Sequence, residues 1–348
     1  MRLHIQFLLV FMHCIPYTAF VQDVTKDVEV FSLNDSSVFF DYRHNRNPGY
    51  FYQKNQKWDD ITQVHLYRGH PVLYVKHDTA RRATHSLTVK RFYKLDVQLR
   101  PFLYSEFGDF RAALRTQIGI APRIAIGYEG IYGVFQWFFP IQNDFPNRFG
   151  FQNRPGELGI GYTKIIKGVN FFNSFVGTFI NDRYGGYLEY IRSTGNQRFY
   201  LGSSIYYTGR ILLSEGTIFR ERINYLSGEI FVLYRFKHPN LSVRVSGERF
   251  LREDTGVTIE LMRQFGNTDI GFSVTGSENG TNARMFIAFS LGGKIYSNRW
   301  LQIRLPHTFR FSYDLQPNTG ISERTRPFTD FFYDIYRFNL PYIQSQLN

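Results

Sequence analysis

From Tyr93 onward the chain is built of segments of roughly ten residues in which apolar and polar side chains alternate, each segment closed by Gly, Asn, Asp or Pro. A period of two belongs to β-strands, whose successive side chains point to opposite faces. In Lys94 to Leu103, the residues Leu95, Val97 and Leu99 oppose Lys94, Asp96, Gln98 and Arg100. In Leu241 to Glu248, Leu241, Val243 and Val245 oppose Ser242, Arg244, Ser246 and Glu248. Val257, Ile259 and Leu261 oppose Thr258 and Glu260, and Ile270, Phe272 and Val274 oppose Gly271, Ser273 and Thr275. Phe (36) and Tyr (24) dominate the apolar residues while mean hydropathy is −0.29, which requires this interleaving. The pattern predicts about 12 strands, within a range of roughly 10 to 16, with Phe110 to Glu129 readable as one strand or two because of Pro122.

Alternation alone does not place the apolar face, since a β-sandwich has the same period. No apolar run reaches the length of about 20 residues that a membrane helix needs, so a membrane-spanning form of this chain must be a closed antiparallel transmembrane β-barrel. Aromatics recur near segment ends: Phe102, Tyr104, Trp137 to Phe139, Phe171, Phe172, Tyr206, Tyr207, Tyr234, Phe236 and Phe250. They suit interfacial girdles of a barrel or, alternatively, the core of a sandwich. Glycines at 127, 161, 177, 202, 228, 247 and 271 fit bends and close strand approach. In a barrel the polar alternates Lys94, Asp96, Arg100, Arg244, Glu248 and Glu260 face the lumen. In a narrow lumen they pair as ion networks; in a wet one, surplus Arg and Lys guide an anionic polymer. Arg249 and Arg263 fall at strand ends, where a rim would place them.

The flanking regions read differently. Residues 1–22 form a signal peptide: Arg2, an apolar run from Ile5 to Met12, then Thr18 and Ala19 ahead of Asp23. The single cysteine, Cys14, lies within it and lacks the small preceding residues of a lipid-attachment site. Residues 23–90 read as a small α+β domain, with strand segments in Ser37 to Arg43 and, around Gly69-His70, in Ile61 to His77, and a short helix over Tyr50 to Asp59. Residues 91–315 read as the expected barrel, and 316–348 as a tail in which Phe331, Phe332, Ile335 and Phe338 have the spacing of a short helix. No nucleophile elbow, zinc helix or P-loop is present, so no catalytic, cofactor-binding or metal residue is assigned. His65, His70, His77 and His85 lie close in sequence, but a divalent site wants carboxylates or more tightly spaced ligands, so they read as surface or hairpin-packing histidines. The net charge of +12 points to an anionic partner, lipopolysaccharide phosphates or an acidic polysaccharide, and an exported chain does not meet nucleic acid.

The stretch Val243 to Phe272 contains Gly247, Arg249, Phe250, Leu251, Asp254, Gly256, Thr258, Glu260, Leu261, Arg263, Phe265 and Asn267 in an order that resembles the YjbH family. That family comprises exopolysaccharide-biosynthesis, group 4 capsule GfcD-like outer-membrane β-barrel proteins. Arg100-Pro101, Phe107-Gly108 and Pro140 to Asp144 are similar to a second family segment, and VFFDYRHNR with ITQVHLYRGHPVLYV to its small periplasmic domain. The resemblance implies a non-catalytic protein of the cell outer membrane of a Gram-negative bacterium, with its N-terminal domain in the periplasm. It further implies export or surface assembly of exopolysaccharide or capsule together with a polysaccharide-export machinery. A pore or transporter for anionic solutes, and a barrel enzyme acting on lipid or glycan, share the same strand pattern.

Overall fold

The computed structural model describes the backbone of the strands lying between residues 28 and 75 and, short interstrand stretches apart, residues 95–315. The expected signal peptide, the expected helix over Tyr50 to Asp59, Lys94 and the tail from residue 316 lie outside the described residues. The chain is mainly β, with no helix among the described residues. Four strands, β1 (Val28–Asn34), β2 (Ser37–Tyr42), β3 (Ile61–Tyr67) and β4 (His70–Val75), form one antiparallel sheet in the order β1-β2-β4-β3. The sequence pattern anticipated the three last of these and missed β1.

All other strands belong to a second, large sheet. They are β5 (Leu95–Arg100), β6 (Leu103–Phe110), β7 (Ala113–Ile120), β8 (Arg123–Tyr128), β9 (Ile131–Asn143), β10 (Arg154–Ile166), β11 (Asn170–Phe179), β12 (Arg183–Ser193) and β13 (Phe199–Ser214). Then follow β14 (Thr217–Arg220), β15 (Tyr225–Arg235), β16 (Leu241–Arg249), β17 (Thr255–Phe265), β18 (Thr268–Ser277), β19 (Gly280–Phe289), β20 (Tyr296–Ser297), β21 (Leu301–Arg304) and β22 (Phe309–Leu315). Antiparallel ladders run from β22 through β19, β18, β17, β16, β15, β13, β12, β11, β10, β9 and β8 to β5. Beyond β5 lies β21, in a parallel pairing, and the two-residue β20 pairs antiparallel with β21 beyond it. The sheet is therefore mixed, where the sequence pattern predicts only antiparallel neighbours. No ladder between β22 and the β20–β21 hairpin closes it among the described residues, so it stands as a large open sheet with β22 at one end and that short hairpin at the other.

Proline settles the ambiguous segment. Pro122 has no N–H to give a ladder, and the chain breaks there into β7 and β8, leaving the Pro122 carbonyl to accept from Trp137 N–H at 3.3 Å. Pro155, within β10, sits where the β9–β10 register slips, the place a strand tolerates a missing donor.

The two faces of the large sheet have opposite chemistry, and the polar one is buried. On β17 the residues Val257, Ile259, Leu261 and Phe265 are exposed while Thr258, Met262 and Gln264 are buried. On β15 Leu226, Ile230, Val232 and Tyr234 are exposed, and Ser227 and Arg235 are buried on the other face together with Phe231 and Leu233. The buried face mixes two materials. Near β9 to β13 it is aromatic, with Phe175, Phe179, Tyr187, Tyr132 and Tyr206 packed around Val134. Near β16 to β19 it carries Ser242, Ser246, Thr258, Ser273, Thr275 and Asp269.

Three glycines shape this packing. Gly161, Gly202 and Gly271 lie directly opposite Tyr132, Phe231 and Phe286 on the neighbouring strand, and each ring covers its glycine. A Cβ there would stand 2.2, 2.3 and 2.0 Å from the ring carbons, far inside contact distance. The ring occupies the space that glycine leaves, restoring buried contact to a residue with no side chain to pack. Gly247 meets nothing within 4 Å, so close approach is not its reason. Of the segment-end aromatics, Phe138, Phe171 and Phe250 are buried, as core residues and not girdle residues would be, because parity or turn geometry turns them to the buried face.

Candidate functional site

The polar face carries the chemistry. Of the polar alternates expected on one face, Asp96, Arg100, Arg244, Glu248 and Glu260 all share it, as register requires: Arg100 faces Arg123 across β5–β8 and Arg244 faces Glu260 across β16–β17. They do not converge on one spot. Asp96 accepts a two-pronged hydrogen bond from the Arg304 guanidinium, at 2.9 Å from Nε and 2.7 Å from a terminal nitrogen, across the parallel β21–β5 pairing. Arg100 donates to Gln98 Oε1 at 2.9 Å. Arg244 is 2.8 Å from Glu229 and lies over the Phe231 ring, 4.2 Å from its centroid. Glu248 accepts from the Ser246 hydroxyl at 2.7 Å.

Several partners escape a sequence reading because they are joined only by strand register. Arg123 and Glu157 form an ion pair at 3.3 Å with both side chains almost wholly buried. Gln136, between them in the sheet, accepts from Glu157 N–H and donates to the Ala121 carbonyl, each at 3.2 Å. Asn173 receives the Tyr132 hydroxyl at 2.9 Å and donates to Tyr187. One lateral row, Asn173, Glu189, Ser204, Glu229 and Glu248, crosses five adjacent strands on this face. No local spacing signals it, since each member comes from a different strand.

Arg154 meets Asp182, in the β11–β12 turn, at 2.5 Å and lies over Phe138 at 4.9 Å. Burial pushes the Asp182 carboxyl up from its ordinary value, against the opposing pull of Arg154.

The motif of Gly247 to Phe265 is distributed, not gathered. Gly256, Thr258 and Glu260 lie on the polar face, where Thr258 and Thr275 share a hydroxyl contact of 2.8 Å. Gly247, Arg249, Arg263 and Phe265 lie on the apolar face. Asp254 is buried in the β16–β17 turn, where its carbonyl accepts from Phe250 N–H at 2.7 Å. Arg249 is 3.6 Å from Glu253, and Arg263 stacks over Phe265 at 4.6 Å.

Among the described residues no group of His, Cys, Asp and Glu is arranged to hold a metal ion, and no helix is long and apolar enough to cross a membrane. What the arrangement offers chemically is a face of paired charges, hydroxyls and stacked rings backed by a face of exposed aliphatic and aromatic side chains. No family model, curated protein or solved structure matches this chain.

Proposed function

We propose that the large sheet is a closed outer-membrane β-barrel which, without catalysing a reaction, assists export or surface assembly of an anionic polysaccharide. One observation carries the membrane part: the sheet buries its Arg, Glu, Ser and Thr and exposes its Ile, Leu, Val and Phe. In water that arrangement exposes the wrong face, since transferring each such apolar side chain out of water is worth about 1.5–3 kcal/mol. In a bilayer it is the stable one, because the apolar face meets hydrocarbon and the backbone is satisfied between strands.

Two further features agree. Laid flat at about 4.8 Å per strand, the run from β21 to β22 would be roughly 60 Å wide. Yet Arg304 ends β21 and Phe309 begins β22, so the chain between them spans at most about 18 Å, which supports a sheet curled so that these strands approach each other. On the apolar side of β12 the stretch from Tyr184 to Arg192 rises roughly 20 Å along the membrane normal at an ordinary strand tilt, near the height of a barrel's apolar band.

The inner face then holds paired charges and packed rings, which favours a structural or assembly role over an open pore. The polysaccharide assignment rests on the resemblance around Gly247 to Phe265 and on the net charge of +12. The N-terminal four-stranded sheet would stand in the periplasm and dock an export partner. The test has two arms. The full chain should insert into detergent-free lipid vesicles without conducting ions in planar-bilayer recordings; a chain that stays in the aqueous phase refutes the barrel. Deleting the gene should reduce surface polysaccharide; an unchanged amount and attachment refutes the assembly role.

A further inference from the structure

At one end of the apolar face, beside β12 to β15, the border is basic. β12, β13, β14 and β15 are neighbours there, and the hairpin of β13 and β14 continues past the end of β12. Tyr184 and Tyr207 lie on the apolar face, and both hydroxyls turn toward the same connection: Tyr184 donates to the Glu221 carbonyl at 2.6 Å and Tyr207 to the Ile223 carbonyl at 3.2 Å. Below them the face is aliphatic, with Leu188, Ile205, Leu226 and Ile230 exposed. Above them stand Arg220 and Arg222, both exposed. The Arg220 guanidinium lies 4.6 Å over the Tyr184 ring, so its flat face is occupied and its N–H edge is left for an acceptor.

Among the described residues the acidic side chains at this border are few. Glu221 stands between the two arginines in sequence, and its carboxylate is 4.0 Å from a third, Arg210. At the same end of β16, Arg249 has its own carboxylate in Glu253. A surplus of guanidinium at the edge of an apolar band, with tyrosine hydroxyls marking the edge, matches a tetrahedral oxyanion held at headgroup depth.

We propose that Arg220 and Arg222, with Tyr184 as platform, bind the phosphate of an anionic lipid at this border; this rests on the membrane reading above. The lipid and not free phosphate is the ligand, because the apolar residues that would take its chains are continuous with the arginines. The experiment reconstitutes the full chain in phosphatidylcholine vesicles doped with lipid A or phosphatidylglycerol, then reads co-purifying lipid by native mass spectrometry. Wild type should retain the phosphate-bearing lipid, and Arg220→Gln with Arg222→Gln should weaken retention roughly 30-fold. Arg220→Lys with Arg222→Lys should recover part of it, and Arg263→Gln, at the other end of the sheet, should leave it unchanged. Equal retention by the double Gln variant, inserted as well as wild type, overturns this proposal alone. Displacement of the lipid by millimolar inorganic phosphate overturns the lipid as ligand. Failure of the wild type to insert at any composition overturns the membrane reading and this site with it.

Discussion

Ile230, at the middle of β15, is 66% exposed, and Ile218, on β14 beyond the tyrosine border, is 71% exposed. By exposure the two are equivalent, and in water replacing either with Arg should change stability by no more than about 0.5 kcal/mol, the usual range for a surface site. In the proposed barrel they differ in depth. Ile230 has Leu226 on one side and Tyr234 on the other along the apolar face, so it sits near mid-bilayer, where an Arg costs about 2–4 kcal/mol. Ile218 lies at or above the headgroups, where the cost falls to about 0–1 kcal/mol. Ile230→Arg should therefore lose roughly 2 kcal/mol or more relative to Ile218→Arg, a population ratio of about 30. The assay is reversible denaturant-induced folding into short-chain lipid vesicles, followed by tryptophan emission and by mobility on cold gels. Two variants of equal stability would refute the argument from polarity, however well each one folded.

Three smaller predictions concern the polar face and its end. Arg123→Met alone strands the buried Glu157 carboxylate and should cost about 3–5 kcal/mol, whereas Arg123→Met with Glu157→Leu should recover most of it; an equal loss in both would show that the pair is not coupled. Gly271→Ala pushes a methyl into the Phe286 ring and should cost about 1–3 kcal/mol, and less in a Phe286→Leu background; strict additivity in a double-mutant cycle would exclude the ring-over-glycine contact. Because burial raises the folded value of Asp182, its contribution to stability is fully present below the unfolded value of about 4 and is lost as pH rises through the folded one. Asp182→Asn, which tolerates the left-handed φ of 58° at this turn, should flatten that slope, and an unchanged pH profile in unfolding titrations would refute it.

The strand class was legible because the period of two is local: Leu95, Val97 and Leu99 announce β5 without reference to any other strand, although the pattern ran on to Leu103 where the strand ends at Arg100, before Pro101. The same periodicity put Asp96, Arg100, Arg244, Glu248 and Glu260 on one face, and they are there. Their partners were not legible. Arg304 reaches Asp96 from 208 residues away, and Glu229 reaches Arg244 only because β15 and β16 pair in one register and not the next. A slip of one residue would send each of these side chains to the opposite face. The rings over Gly161, Gly202 and Gly271 depend on register in the same way.

The amino-acid sequence by itself determined that most of this chain would be strands with one apolar and one polar face, since side-chain alternation is a property of the extended backbone. It did not determine which face would be buried, because a sandwich and a barrel share the period. Tertiary structure decided that by setting the non-local ladders: they bury Arg123, Glu157 and Arg304 and leave Ile230, Val257 and Ile259 outside. Hydrogen bonds between distant strands fix the register of the sheet, and register decides which side chains share its buried face.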